Sequence, residues 1–188
     1  MTMRASQPTF SVVGRVIEAR RNELVAGWSQ WIAERMTQAP DIDRPTVERH
    51  LALIIDILIE MTGPLRRLVT DVWFTAFEAY GRTAAARGLA AGEVVEEIQH
   101  LRELLIRSLS EVIVEMGDRH SMATVLRLNG IIDKGIAHAV VGYTDALIET
   151  MFNQRGVPLT AQGPADWEVG KRLEQLEEEL ANLKARRV

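Results

Sequence analysis

Residues 91–116 read AGEVVEEIQHLRELLIRSLSEVIVEM, and Val94, Ile98, Leu101, Leu105, Leu109, Val112 and Met116 follow one another at 4, 3, 4, 4, 3 and 4 positions. That rhythm matches the 3.6-residue turn of an α-helix and gathers the set on one face. Gly117-Asp118 ends the run. Upstream, Leu65, Leu68, Val69, Val72, Trp73, Ala76, Phe77, Tyr80 and Ala84 repeat the pattern over about 65–86. Arg87-Gly88 stops it, with Gly88 suited to a left-handed position after a helix. Two earlier helices are expected at about 11–37, with Ser11 as N-cap, and at about 45–61, with Asp43 capping and Pro45 in the first turn. A fifth is expected from about 121 to 153 through Val125, Ile132, Ile136, Val140, Tyr143, Leu147 and Met151. Alternating strand patterns are scarce, so the fold class is all-α, a bundle of about five long helices spanning residues 1–153.

Residues 154–164 hold Gly156, Pro158, Gly163 and Pro164 and read as a linker. Beyond it, over 165–188, Val169, Leu173, Leu176, Leu180 and Leu183 are spaced 4, 3, 4 and 3. This is a heptad register. With Leu173 and Leu180 at a, Arg172 and Glu179 take g positions, and Glu177 and Lys184 take e positions. In a parallel dimer Arg172 meets Glu177 of the second chain and Glu179 meets Lys184, both attractive. The segment is therefore expected to form a short parallel coiled coil that makes the protein a homodimer. The competing reading is a surface helix folded back on the domain. A parallel coiled coil after a helical domain is a way to pass a change in packing to an output domain. The chain stops at Val188, so it is expected to be a fragment of a signalling protein or an adaptor.

Composition narrows the function. The 188 residues are 47% hydrophobic and 26% charged, as in an ordinary globular protein. There is no cysteine, which excludes disulfides, Cys-ligated zinc, iron–sulfur clusters and thiol nucleophiles, and fits a cytoplasmic setting. A formal net charge of −4 gives no basic face for phosphates, so no nucleic-acid partner is expected. No membrane partner is expected either. Met1–Phe10 lacks the form of a signal peptide, and the most apolar run, Leu51–Met61, contains Asp56 and Glu60.

Catalytic arrangements are missing from the sequence. His50, His100, His120 and His138 have no Ser or Asp partner at a recognisable spacing. Glu97 and His100 form one Glu-x-x-His pair, but di-iron bundles need two such pairs and further carboxylates. Glu97 and His100 are read as part of an exposed acidic face with Glu93, Glu96 and Glu103, His138 as exposed and His50 as half-buried. Asp56 and Glu60 read as a solvated helix edge. Gly135, Ala139, Gly142 and Ala146 recur at 4, 3 and 4, and Gly81, Ala84, Ala85 and Gly88 lie on another helix. Glycine costs about 1 kcal/mol against alanine inside a helix. Its use is expected to serve close helix packing at Gly135, Ala139 and Gly142, with a ligand pocket as the other possibility. Gly88 needs only a turn.

The stretch Tyr80-Gly81-Arg82-Thr83-Ala84-Ala85-Ala86-Arg87-Gly88-Leu89, followed by Val94-Val95 and Leu101-Arg102, resembles the N-terminal domain of RsbR/RsbRD-type stress-regulator proteins and related domains at the front of cytoplasmic histidine kinases. Trp28 and Trp31 suit the same family, and the resemblance spans about 11–153. It implies a globin-like, homodimeric sensor domain, often without haem, coupled to a kinase or a phosphorylatable output. Haem-binding globin-coupled sensors carry a histidine where Ala84 stands, so no cofactor is expected. The reading is thus a non-catalytic dimeric input domain. A stand-alone helical adaptor, and a haem- or metal-binding sensor using His100 or His50, are the alternatives.

Overall fold

Glycine at 81 and 142 decides how the two central helices meet. A computed structural model describes residues 8–35, 44–153 and 166–186. Among them are seven α-helices: α1 (Pro8–Ala19), α2 (Arg21–Arg35), α3 (Arg44–Thr62), α4 (Thr70–Ala86), α5 (Ala91–Glu115), α6 (Asp118–Asn153) and α7 (Asp166–Ala185). A 3-10 turn at Pro64–Arg67 joins α3 to α4. A Cβ on Gly81 would lie 1.9 Å from the backbone oxygen of Ala139, and one on Gly142 would lie 2.0 Å from that of Glu78. Only hydrogen fits at either place, so α4 and α6 cross with their backbones almost in contact. Two turns before Gly142, a Cβ on Gly135 would lie 2.9 Å from the Phe77 ring. Ala139 is fully buried at this crossing.

The remaining helices assemble around that pair. α5 runs beside α6 and α2, while α3 packs on α1, α2 and α4. Trp28, Trp73, Phe77 and Tyr80 are fully buried, with Ile54, Leu58, Ile98, Leu101 and Leu105. Trp73 donates its indole N–H to the Ile131 carbonyl at 3.2 Å, so its polar atom is satisfied inside the core. The result is an all-α, globin-like bundle.

The helix ends follow local chemistry. Gly88 has φ +77°, Leu89 N–H reaches the Ala84 carbonyl at 3.2 Å, and Gly88 N–H reaches Ala85 at 2.9 Å. This doubly bonded C-terminal turn reverses the chain into α5. Three expectations are corrected. Ser11 lies inside α1, which begins at Pro8, so it is not an N-cap. The first long helix is two, parted by a turn at Arg20. The helix expected from about residue 65 starts as a 3-10 turn at Pro64–Arg67 and runs as an α-helix only from Thr70. Asp43 and the linker at 154–164 lie outside the described residues.

α7 brings a larger difference. The structure lays it on α3 and α4. Val169, Leu173, Leu176 and Leu180 are buried there and Leu183 is partly buried. The expectation of a segment standing apart from residues 1–153 is therefore corrected. A stripe at 4-3 spacing fits any apolar groove, and in this structure the groove belongs to the same chain.

Gly142→Ala is expected to destabilise the protein by about 1–3 kcal/mol through overpacking against Glu78. Gly130→Ala, on the same helix with open space around the new Cβ, should stabilise it by about 0.5–1 kcal/mol. Urea denaturation of the two variants compares them directly; equal midpoints would mean that α4 and α6 do not approach this closely.

Candidate functional site

The turn that ends α4 points a cation inward. Arg87 sits at the C-cap of α4, and ten residues on Glu97 lies on the inner face of α5. Their side chains are 0% and 6% exposed. The guanidinium donates two hydrogen bonds, Nη1 to Oε1 at 2.9 Å and Nη2 to Oε2 at 2.7 Å. Tyr80 donates its hydroxyl to Oε2 at 2.6 Å, and Trp28 donates its indole N–H to the Glu97 backbone carbonyl at 2.8 Å. Through its carboxylate and its backbone carbonyl together, Glu97 ties α2, α4 and α5. Burial, and after it the charge of Glu97, hold the Tyr80 phenol well above its ordinary range.

His50 of α3 joins from the other side. Its ring meets Tyr80 edge-on, with centroids 5.4 Å apart. Nε2 lies 3.0 Å from the Ala76 carbonyl, which can only accept, so Nε2 carries the proton of the neutral ring. Nδ1 is buried without a hydrogen-bond partner. Burial pushes the imidazole down to about 4, against the hydrogen bond to Ala76, and the nearby Arg87 charge adds to the depression. Two expectations are corrected here. His50 is fully buried rather than half-buried, and Glu97 is an interior residue rather than part of an acidic surface. No local signal marks either. An arginine after an alanine run and a glutamate among glutamates look solvated until α4 and α5 fold together.

The other sequence candidates separate. Glu97 turns inward, while His100 stacks on Trp31 at 4.6 Å and 11°, so the Glu-x-x-His pair does not converge. Partial burial lowers the His100 pKa. His138 is half-buried rather than exposed: it stacks on Phe74 at 4.0 Å, and Nδ1 is 2.8 Å from Glu78. His120 is exposed. Asp56 pairs with Arg21 at 2.5 and 2.7 Å, whereas Glu60 faces Lys184 of α7 at 3.3 Å. The expectation of a solvated helix edge is corrected: Glu60 is buried and Asp56 half-buried, and each anchors a different helix. Among the described residues no three His, Asp or Glu side chains gather as a metal-ligand set. Ala84 is buried in the core and supplies no donor atom.

The seat of α7 completes the site. Arg49, one residue before His50, holds Glu177 through Nε at 2.8 Å and Nη2 at 2.6 Å, and lies 3.9 Å from Glu174. Glu177 and Lys184, expected at the edges of a coiled coil, here bind α3. Arg172 and Glu179 are exposed on the other side. Arg49 and Glu60 are eleven residues apart, about three helical turns, so both anchors lie on one face of α3.

The geometry is thus a closed helical interior built on a paired polar cluster, with α7 strapped across it. The chain belongs to the family described as RsbT co-antagonist protein rsbRD N-terminal domain, whose model matches residues 15–157. It is a stress-signalling regulatory input domain, and the resemblance carried by residues 80–89 holds. The matched span ends before α7. No curated protein and no solved structure matches the chain. No helix among the described residues is long and apolar enough to cross a membrane.

Two measurements probe the cluster. Arg87→Met should cost about 3–5 kcal/mol, because it strands a buried carboxylate, and adding Glu97→Leu should recover part of the loss. Thermal denaturation of the single and double variants reads this. His50 has a lower pKa folded, about 4, than its ordinary 6.5. The unfolded chain therefore takes up the proton first as pH falls. The stability that neutral His50 contributes is complete above about pH 6.5 and is lost towards pH 4, on the order of 3 kcal/mol. In His50→Gln, urea midpoints between pH 7 and 4 should fall less steeply than in the parent; parallel curves would remove His50 as the cause.

Proposed function

We propose that this domain is a non-catalytic, homodimeric input unit that passes a signal through its C-terminal helix to an output domain, a histidine kinase or a related module. The observation that carries the reading is an exposed apolar face on α6. This helix has 36 residues, about 54 Å of length. Tyr143 is its last buried side chain, and its hydroxyl donates to the Leu89 carbonyl at 2.8 Å. Beyond it Leu147, Ile148, Met151 and Phe152 are 43 to 70% exposed. Arg82 of α4 holds Asp145 and Glu149, which fixes the inward side of this stretch and leaves the apolar side turned out. Val141, Met122 and Leu126 extend the exposed set along the helix. Clustered apolar side chains on a soluble surface mark an interaction site. A second copy offering the same face gives a closed, two-fold pair.

The rest of the reading follows from chemistry. Tyr80, Arg87 and Glu97 are engaged with one another, which supports a structural role for them over a catalytic one. Ala84 offers haem no ligand, and His50 uses Nε2 within the core, so the domain works without a cofactor. The net charge of −4 and the absence of cysteine support a cytoplasmic protein that acts away from nucleic acid and membranes. α7, which follows the bundle in the chain, is read as the element that carries the signal onward.

Sedimentation equilibrium tests the dimer. The parent is expected to be a dimer, and Ile148→Glu with Phe152→Glu should give a monomer of unchanged helicity. A monomeric parent, or a dimer indifferent to both substitutions, would remove α6 as the interface.

A further inference from the structure

The apolar face of α7 suits two partners that cannot be served together, and both use the same side chains. Docked in its own chain, α7 buries Val169, Leu173, Leu176 and Leu180 on the bundle. Its Glu177 is held by Arg49 at 2.6 Å, and its Lys184 by Glu60 at 3.3 Å. In a parallel pair of α7 helices the same four apolar residues form the seam. Glu177 then faces Arg172 of the second copy, and Lys184 faces Glu179. Arg172 and Glu179 stay exposed while α7 is docked, so half of each pairing contact is already displayed. The other half is occupied by α3.

We propose that α7 exchanges between these partners: docked on α3 and α4 its seam is masked, and once released it pairs in parallel with α7 of a second copy. The proposal rests on the homodimer described above, which brings two α7 helices within reach of each other. Two observations favour a second α7 over an unrelated occupant. The heptad spacing continues through the docked helix without interruption, which a groove does not require. The charges flanking the seam are also complementary to themselves in a parallel pair, which docking on α3 does not require. The anchors suit exchange because Arg49, Glu177 and Lys184 are each about 40% exposed; Glu60 is buried while α7 covers it, and release of α7 opens it to water rather than stranding it in the core. Arg49 adjoins His50, which touches Tyr80 of the Glu97 cluster, so the seat of α7 and the core share one helix.

The chain has no cysteine, so Leu183→Cys gives a single reporter at the seam. Interchain disulfide formation is followed in this variant, and in the same variant carrying Arg49→Glu and Glu60→Lys. The reversed charges repel Glu177, Glu174 and Lys184 and should unseat α7. Hydrogen exchange over 166–185 reports the release independently. The expected result is faster exchange together with a rise in interchain disulfide of roughly fivefold or more. Adding Glu177→Arg to Arg49→Glu restores the anchor and opposes Arg172 of the second copy, and should return the yield to the parent level. Release of α7 without more disulfide overturns the proposal, and so does a helix that stays seated despite both reversals. Sedimentation of the same samples separates the two readings. A monomeric parent that dimerises on release removes the α6 interface and keeps the exchange. A constant dimer with no gain in disulfide keeps the α6 interface and removes the exchange.

Discussion

A carboxylate buried among helices must be neutralised where it lies, and the arrangement of this domain depends on how Glu97 meets that demand. Its oxygens accept from Arg87 and Tyr80, and its backbone carbonyl accepts from Trp28. Counting α5, which carries Glu97, the contacts join three helices, α2, α4 and α5. Moving any one of them leaves an unpaired polar group in the interior, which is costly in a low-dielectric core. Such a pair adds little net stability against an apolar replacement. Satisfying its donors together narrows the arrangements open to the helices that carry them.

The second constraint is distance. α4 carries the aromatic and guanidinium partners of Glu97, and it also lies against the backbone of α6 at Gly81 and Gly142. α7 rests on α3 and on α4 as well. α4 therefore touches the core cluster, the helix with the exposed apolar face and the C-terminal strap. Rigid contact at the glycine crossing allows little independent shift of α6, because close-packed interiors do not deform continuously.

The two candidate surfaces differ in kind. The face of α6 is open and apolar, whereas the face of α7 is closed within the chain and edged by charge. An open face serves constant association, and a masked face serves an association that can be made or withheld. A regulatory input domain has a use for both.

Helical content, most helix ends and the small-residue rows were legible from the sequence, because they depend on spacing and on residues next to one another. Gly88 ends α4 through its own φ, and Val94 to Leu109 face the core through periodicity alone. The target of each face was not legible. The 4-3 stripe of α7 states which residues lie together, and is silent on whether they meet a second chain or α3 and α4. Glu97 looks like its solvated neighbours, and only the docking of α4 and α2 on α5 buries it. His50 becomes a core residue for the same reason. Periodicity is a property of one helix, whereas the burial of a charge is a property of the several helices that surround it, and only the tertiary structure brings those together.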